Sequence, residues 1–200
     1  MIGGVLLAAG NSSRFGGNKT LAKLPNNVSL VAHCARRLLS AVDALVVVAP
    51  TDDSDIRREF SGQQNVQVCG CPESENGMGH SIACGIKLLG EASGWLIALS
   101  DMPFIKAKTY ALVARALTDG AMIAVPVYDG GRGHPVGFSK SLYSELVALS
   151  GDVGARHLIA KYASGLAEVE CGDPGIHADV DTPEDLERYT NELFNPRGRK

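Results

Sequence analysis

The chain has 200 residues, 45% of them hydrophobic and 20% charged, enough to bury one continuous core and close to the usual size of a single domain. Its 19 basic and 22 acidic side chains leave a formal net charge of -3, which excludes a broad basic face for long nucleic acid or an anionic membrane, so a phosphate ligand must be met locally. No apolar run approaches the roughly 20 residues of a membrane span, and the opening Met-Ile-Gly-Gly lacks the cationic start of a secretory signal; the expectation is a cytoplasmic protein.

In chain order, short aliphatic or β-branched runs at 4–8, 44–49, 66–69, 95–99 and 122–127 read as buried strands. Between them, 30–40, 54–60, 81–89 and 108–118 carry apolar residues at three- and four-residue spacing and read as helices. After Val127 a glycine-rich turn, Tyr128-Asp-Gly-Gly-Arg-Gly-His134, leads into a short strand at 135–138, expected to be antiparallel. Helices follow at 142–149 and 155–162, a strand at 166–170, and a last helix from Pro183 with Thr182 as its N-cap. This alternation predicts an α/β fold: a Rossmann-like three-layer α/β/α sandwich with a mostly parallel sheet and a small antiparallel insertion. Residues 1–194 are expected to form one domain and 195–200 a flexible tail. Five cysteines, Cys34, Cys69, Cys71, Cys84 and Cys171, fit free, reduced thiols, and Cys69-Gly-Cys71 lacks the spacing of a zinc site.

Ligands of such sheets sit beyond the carboxyl ends of the strands, so the loops after Ala8, Cys69 and Leu99 are where chemistry is expected. The first, Leu7-Ala8-Ala9-Gly10-Asn11-Ser12-Ser13-Arg14-Phe15-Gly16-Gly17-Asn18-Lys19, joins small residues to two cations. Small residues let backbone N–H groups approach an anion, while Arg14 and Lys19 can make charge-assisted contacts to β- and γ-phosphates. It is neither a Walker A loop, since Asn18 precedes Lys19, nor a G-x-G-x-x-G dinucleotide turn.

That loop resembles the signature of the sugar-nucleotide-transferase-like (NTP transferase) superfamily, and within it the MobA/MocA-like branch of molybdenum cofactor guanylyl- and cytidylyltransferases. Further pieces match in order to Asp185: Glu75-Asn-Gly77-Met78-Gly79-His80-Ser81, Leu99-Ser-Asp101-Met-Pro103, Gly133-His134-Pro135-Val136-Gly137, Gly151-Asp152-Val-Gly154-Ala-Arg156 and Asp179-Val-Asp181-Thr-Pro-Glu-Asp185. The resemblance implies a nucleotide site of Leu7, Ala8, Ala9, Gly10, Ser12, Ser13, Arg14, Lys19, Gly79 and Ser81, with Arg14, Lys19 and Asp101 carrying the reaction. Ser81 either caps a helix or donates to a base, and His80 stands where relatives often have serine. Asp101 is expected to hold Mg²⁺ together with Asp179 or Asp181, which alternation in a strand would send to one side; otherwise Asp181 and Thr182 cap the last helix.

His134, Pro135 and Arg156 are expected on the acceptor side, with His134 titrating near neutral pH or serving as a bonded loop histidine. Gly137 replaces a larger apolar residue of relatives and is expected to reshape that pocket. The implied reaction is attack of an acceptor phosphate on the α-phosphorus of a nucleoside triphosphate. Ala8-Ala9-Gly10 resembles the cytidylyl form, giving CTP as donor, a molybdopterin-type acceptor, and a molybdoenzyme or its chaperone as receiver of the product. Alternatives are GTP, a sugar or small alcohol phosphate as acceptor, or a nucleotide sensor without turnover.

Overall fold

The computed structural model of the chain describes residues 1–10, 15–50, 53–152 and 154–194. Its sheet is built from β1 (Ile2–Leu7), β2 (Ala44–Ala49), β3 (Val66–Gly70), β4 (Gly94–Leu99), β5 (Ile123–Tyr128), β6 (Gly131–Arg132), β7 (Val136–Ser139) and β8 (Leu166–Glu170). The order is β3-β2-β1-β4-β7-β5-β6, and β8 pairs parallel with the free edge of β5. β1 runs parallel to both β2 and β4, and β2 to β3. β7 is antiparallel to β4 and β5 alike, so the expected insertion is a strand wedged between two parallel blocks. The sheet is therefore the mostly parallel, Rossmann-like one anticipated.

Helices α1 (Leu30–Leu39), α2 (Ser54–Glu59) and α4 (Ala107–Thr118) cover one face, and α3 (Met78–Leu88), α5 (Tyr143–Val147) and α6 (Arg156–Lys161) the other. Pleating divides β1 between them: Leu6 and Ala8 join the first cluster, Val5 and Leu7 the second. Because both faces are covered, the strands read as continuous apolar runs without alternation. Trp95, wholly buried, packs on the second face and donates its Nε1–H to the Leu89 carbonyl at 3.0 Å. Burying a side chain of this kind contributes about 1.5–3 kcal/mol.

Three of the described α-helices are capped by side chains of the residues just before them. Ser29 Oγ accepts from the Ala32 N–H and Asp53 from those of Asp55 and Ile56, each occupying a donor the helix leaves orphaned. The last helix, α7 (Pro183–Phe194), opens with Thr182 Oγ1 accepting from the Asp185 N–H while the Asp185 carboxylate accepts from the Thr182 N–H. Thr182 is thus the N-cap expected. A small cluster of Leu24, Leu30, Phe104 and Val180 lies under α7 and pins it to the carboxyl edge of the sheet through Leu186 and Tyr189. Among the described residues no helix is long and apolar enough to cross a membrane.

Candidate functional site

The carboxyl ends of β1 and β4 lie side by side, held by the Ser100 N–H donating to the Leu7 carbonyl at 3.0 Å. From β4 the chain turns at Asp101, whose backbone carbonyl accepts from the Val180 N–H at 2.8 Å and so draws residues 180–181 up beside it. Lys19 enters from a single 3-10 turn, Lys19–Leu21, and is only 8% exposed. Its ammonium donates to Asp101 Oδ2 at 3.0 Å and to Asp181 Oδ1 at 3.2 Å. Three residues separated by up to 162 positions thus meet at one point.

Lys19, assigned to phosphates, is bonded here to the two carboxylates expected to hold metal. One sequence expectation is corrected. Asp179 and Asp181 do not alternate along a strand, because residues 178–181 are irregular; Asp179 is exposed and only Asp181 is found at Lys19. Asp185 is taken up by the α7 cap, where the Thr182 hydroxyl and the backbone N–H groups of Thr182 and Asp181 hold its carboxyl below the ordinary range.

The two carboxylates can take a hard cation. They already share one, the Lys19 ammonium, and Asp101 Oδ1 is buried with no hydrogen-bond partner. Among the described residues no three His, Cys, Asp or Glu side chains converge as a complete metal cage. A divalent ion at Asp101 and Asp181 would thus need further oxygens from substrate and water, which is the ordinary condition of Mg²⁺ with phosphates.

A cleft of about 690 Å³ opens over this point. Of the residues expected to bind nucleotide, Leu7, Ala9, Gly10, Lys19 and Ser81 line it, as does Asp101. Ala8 does not: it turns into the core on the α1 side. Gly79 lies behind the wall, and Ser12, Ser13 and Arg14 fall outside the described residues. Ser81 is no helix cap, since α3 starts at Met78 after Gly77 and Ser81 sits in its first turn, 4% exposed. Sequence reasoning missed Thr20, Pro50, Ser74 and Ser100, which also line the cleft. Pro50 ends β2, so the strand-end rule applied to all strands would have found it.

One wall is a clasp between the first turn of α3 and the loop after α5. The Gly79 N–H donates to the Gly151 carbonyl at 2.9 Å, and the Gly151 N–H donates to His80 Nδ1 at 3.3 Å, giving His80 a role. Gly77, at φ 121°, has no room for a side chain: a Cβ there would lie 2.2 Å from the Gly151 carbonyl carbon.

A second cavity, of about 460 Å³, adjoins the first and shares Met78, Leu99 and Asp152 with it. Its walls are apolar, chiefly Ile97, Val125, Val136 and Phe138, and it carries Arg132, Arg156 and His134. His134 and Arg156 therefore meet as expected, whereas Pro135, joined to His134 by a cis peptide bond, is buried and does not line the space. Burial pushes the His134 pKa below the ordinary histidine value, while the nearby Asp101 charge acts the other way. The residue is half-buried, but Nδ1 is enclosed without a partner. Gly137 does not shape this cavity either. A Cβ there would face Val113 at 3.0 Å and Leu117 at 3.1 Å, so its missing side chain makes room for α4 on the opposite face.

Comparison with known proteins agrees with this architecture. A family model described as the MobA-like NTP transferase domain matches residues 4–166. The purine catabolism protein PucB of Bacillus subtilis (strain 168) is 32% identical over 196 residues, 92% of this chain and 93% of that one. A nucleotidyl transferase from Methanothermobacter thermautotroptrophicus superposes with a TM-score of 0.82 at 22% identity, covering 98% of this chain and 99% of that one. The Mycobacterium tuberculosis H37Rv protein Rv0371C, solved in complex with manganese, gives 0.72 at 24% identity over 96% and 99% of the two chains.

Proposed function

The chain belongs to the MobA-like NTP transferase family, and from that premise we propose that it transfers CMP from CTP to the phosphate of a molybdenum-bearing molybdopterin, releasing pyrophosphate, with residues 1–194 acting as one nucleotidyltransferase domain. The observation that carries this reading is the meeting of two cavities, one polar and one apolar with cations, across Met78, Leu99 and Asp152 beside the Lys19, Asp101 and Asp181 cluster. A transfer between two substrates needs two such spaces with a shared boundary.

In the reaction an acceptor phosphate oxygen forms a bond to the α-phosphorus of CTP, and the bond from that phosphorus to the bridging oxygen of the β-phosphate breaks. Catalysis of this class is mainly alignment and charge neutralisation. No protein nucleophile is required. Arg14 and Lys19 neutralise the β- and γ-phosphates, the backbone of Ala9 and Gly10 lies along the triphosphate, and Ser81 contributes a hydroxyl from the first turn of α3. Asp101 and Asp181 hold Mg²⁺; support comes from the enclosed, unbonded Oδ1 of Asp101 and from the manganese of the mycobacterial neighbour. When bound, the ion supplies positive charge to the triphosphate.

On the acceptor side Arg156 pairs the acceptor phosphate, and the apolar walls pack on a flat ring. His134, on the wall of the same cavity, orients the acceptor. The methyl of Ala9, on the cleft wall, narrows the base site toward a pyrimidine. A thermal-shift screen with CTP, GTP, ATP and UTP in Mg²⁺, followed by pyrophosphate release with acceptor, tests the reading. CTP should give the largest shift. Preference for GTP would overturn the cytidylyl assignment, and turnover only with a sugar or small alcohol phosphate would replace the acceptor.

A further inference from the structure

Three of the five cysteines gather behind the larger cleft. Cys69, near the end of β3, has its Sγ 3.2 Å from Sγ of Cys84 in α3. Cys71 lies close by, its buried thiol 3.7 Å from the His80 carbonyl, on the α3 turn that carries Cys84. All three line an open cavity of about 440 Å³, so a small reagent can enter. The remaining cysteines are elsewhere and occupied: Cys34, fully buried, donates to the Ser100 carbonyl and Cys171 to the Val127 carbonyl.

Zinc chemistry is not what this cluster offers, since among the described residues no three His, Cys, Asp or Glu side chains are disposed around a metal ion. A pair is favoured instead. The Cys69 and Cys84 sulfurs need to close by only about 1.2 Å to reach the covalent S–S length of about 2.05 Å. They also bracket the segment that carries Ser74, Glu75, Gly77, Met78 and Ser81 of the cleft wall.

We propose that Cys69 and Cys84 form an intramolecular disulfide when the protein meets a small-molecule disulfide oxidant such as oxidised glutathione, closing the β3–α3 loop of the cleft into a covalent ring. The thiolate of one cysteine attacks a glutathione sulfur, forming a mixed disulfide and releasing one glutathione. The second thiolate then attacks the protein-bound sulfur and releases the other glutathione. Two protein thiols thus lose two electrons and two protons, and oxidised glutathione becomes two reduced molecules. Burial pushes the Cys84 thiol up to about 11, so little of it is thiolate at neutral pH.

The whole chain is incubated with oxidised glutathione, quenched in acid, alkylated with N-ethylmaleimide and cut after glutamate. Cleavage after Glu73 and Glu75 separates Cys69 and Cys71 from Cys84, so a disulfide joins two fragments that otherwise part. The expected product is a Cys69–Cys84 fragment pair that persists in Cys71→Ser and is absent in Cys69→Ser, with slowed hydrogen exchange over 72–80 in the oxidised form. The proposal is overturned if all three thiols alkylate, if only glutathione adducts form, or if Cys71 replaces Cys69 in the link. None of these readouts depends on which nucleotide the protein uses.

Discussion

Replacing Gly77 by alanine should damage the protein more than any other single methyl added near the cleft. The methyl would lie 2.2 Å from the Gly151 carbonyl carbon and 2.5 Å from the Asp152 nitrogen, both backbone atoms that no rotamer can move. Gly77 also sits at φ 121° and ψ 162°, a region nearly closed to other residues, at a cost of about 1–3 kcal/mol. Relief requires the two segments to part, losing the Gly79 to Gly151 and Gly151 to His80 hydrogen bonds. At about 0.5–1.5 kcal/mol each, these bring the total to roughly 2–6 kcal/mol. For a domain of this size each kcal/mol shifts the melting temperature by about 2–4 °C, so a fall of about 4–24 °C is expected by circular dichroism. Gly10→Ala is the control, because a Cβ there meets nothing within 4 Å. If Gly77→Ala melts with the control, the clasp is not the rigid wall described here.

Asp101→Asn should lower Mg²⁺-dependent pyrophosphate release by about 10²–10³-fold while circular dichroism stays native, since Lys19 keeps Asp181 as partner; turnover near that of the parent would refute the metal role. Arg156→Met should raise the KM for a phosphate-bearing acceptor by about 10–100-fold, the worth of one charged hydrogen bond, and leave that for CTP alone. A rise in the CTP value instead would move Arg156 to the donor side. His33 supplies a pH test. Burial, then the charges of Arg37 and Arg36, depress its pKa from 6.5 to about 4, so the unfolded chain binds the proton more readily. Its contribution to stability is complete above pH 6.5 and is lost as pH falls through about 4. Melting temperatures between pH 7.5 and 4.5 should therefore fall less for His33→Gln than for the parent, and parallel curves would refute the assignment.

What the sequence made legible was whatever depends on neighbours along the chain. The buried strands announced themselves because both faces of the sheet are covered, and Thr182 was readable as a cap because its partner, Asp185, is three residues away. Gly137 could have been read correctly by the same logic: Val136 and Phe138 face the cavity, so the residue between them must face α4. The errors fall where a partner is remote. Ser81 looked like a helix start from apolar spacing alone, whereas the turn before it is held by the bond from Gly79 to Gly151, 72 residues beyond. Two-residue alternation could not choose between Asp179 and Asp181, because the segment is irregular and its direction is set by one bond from Val180 to the Asp101 backbone. Lys19 shows the same limit most plainly. A lysine in a glycine-rich loop is readable as a cation for phosphate, but its bonds to carboxylates 82 and 162 residues away depend on the placement of β4 and α7, which no local pattern encodes.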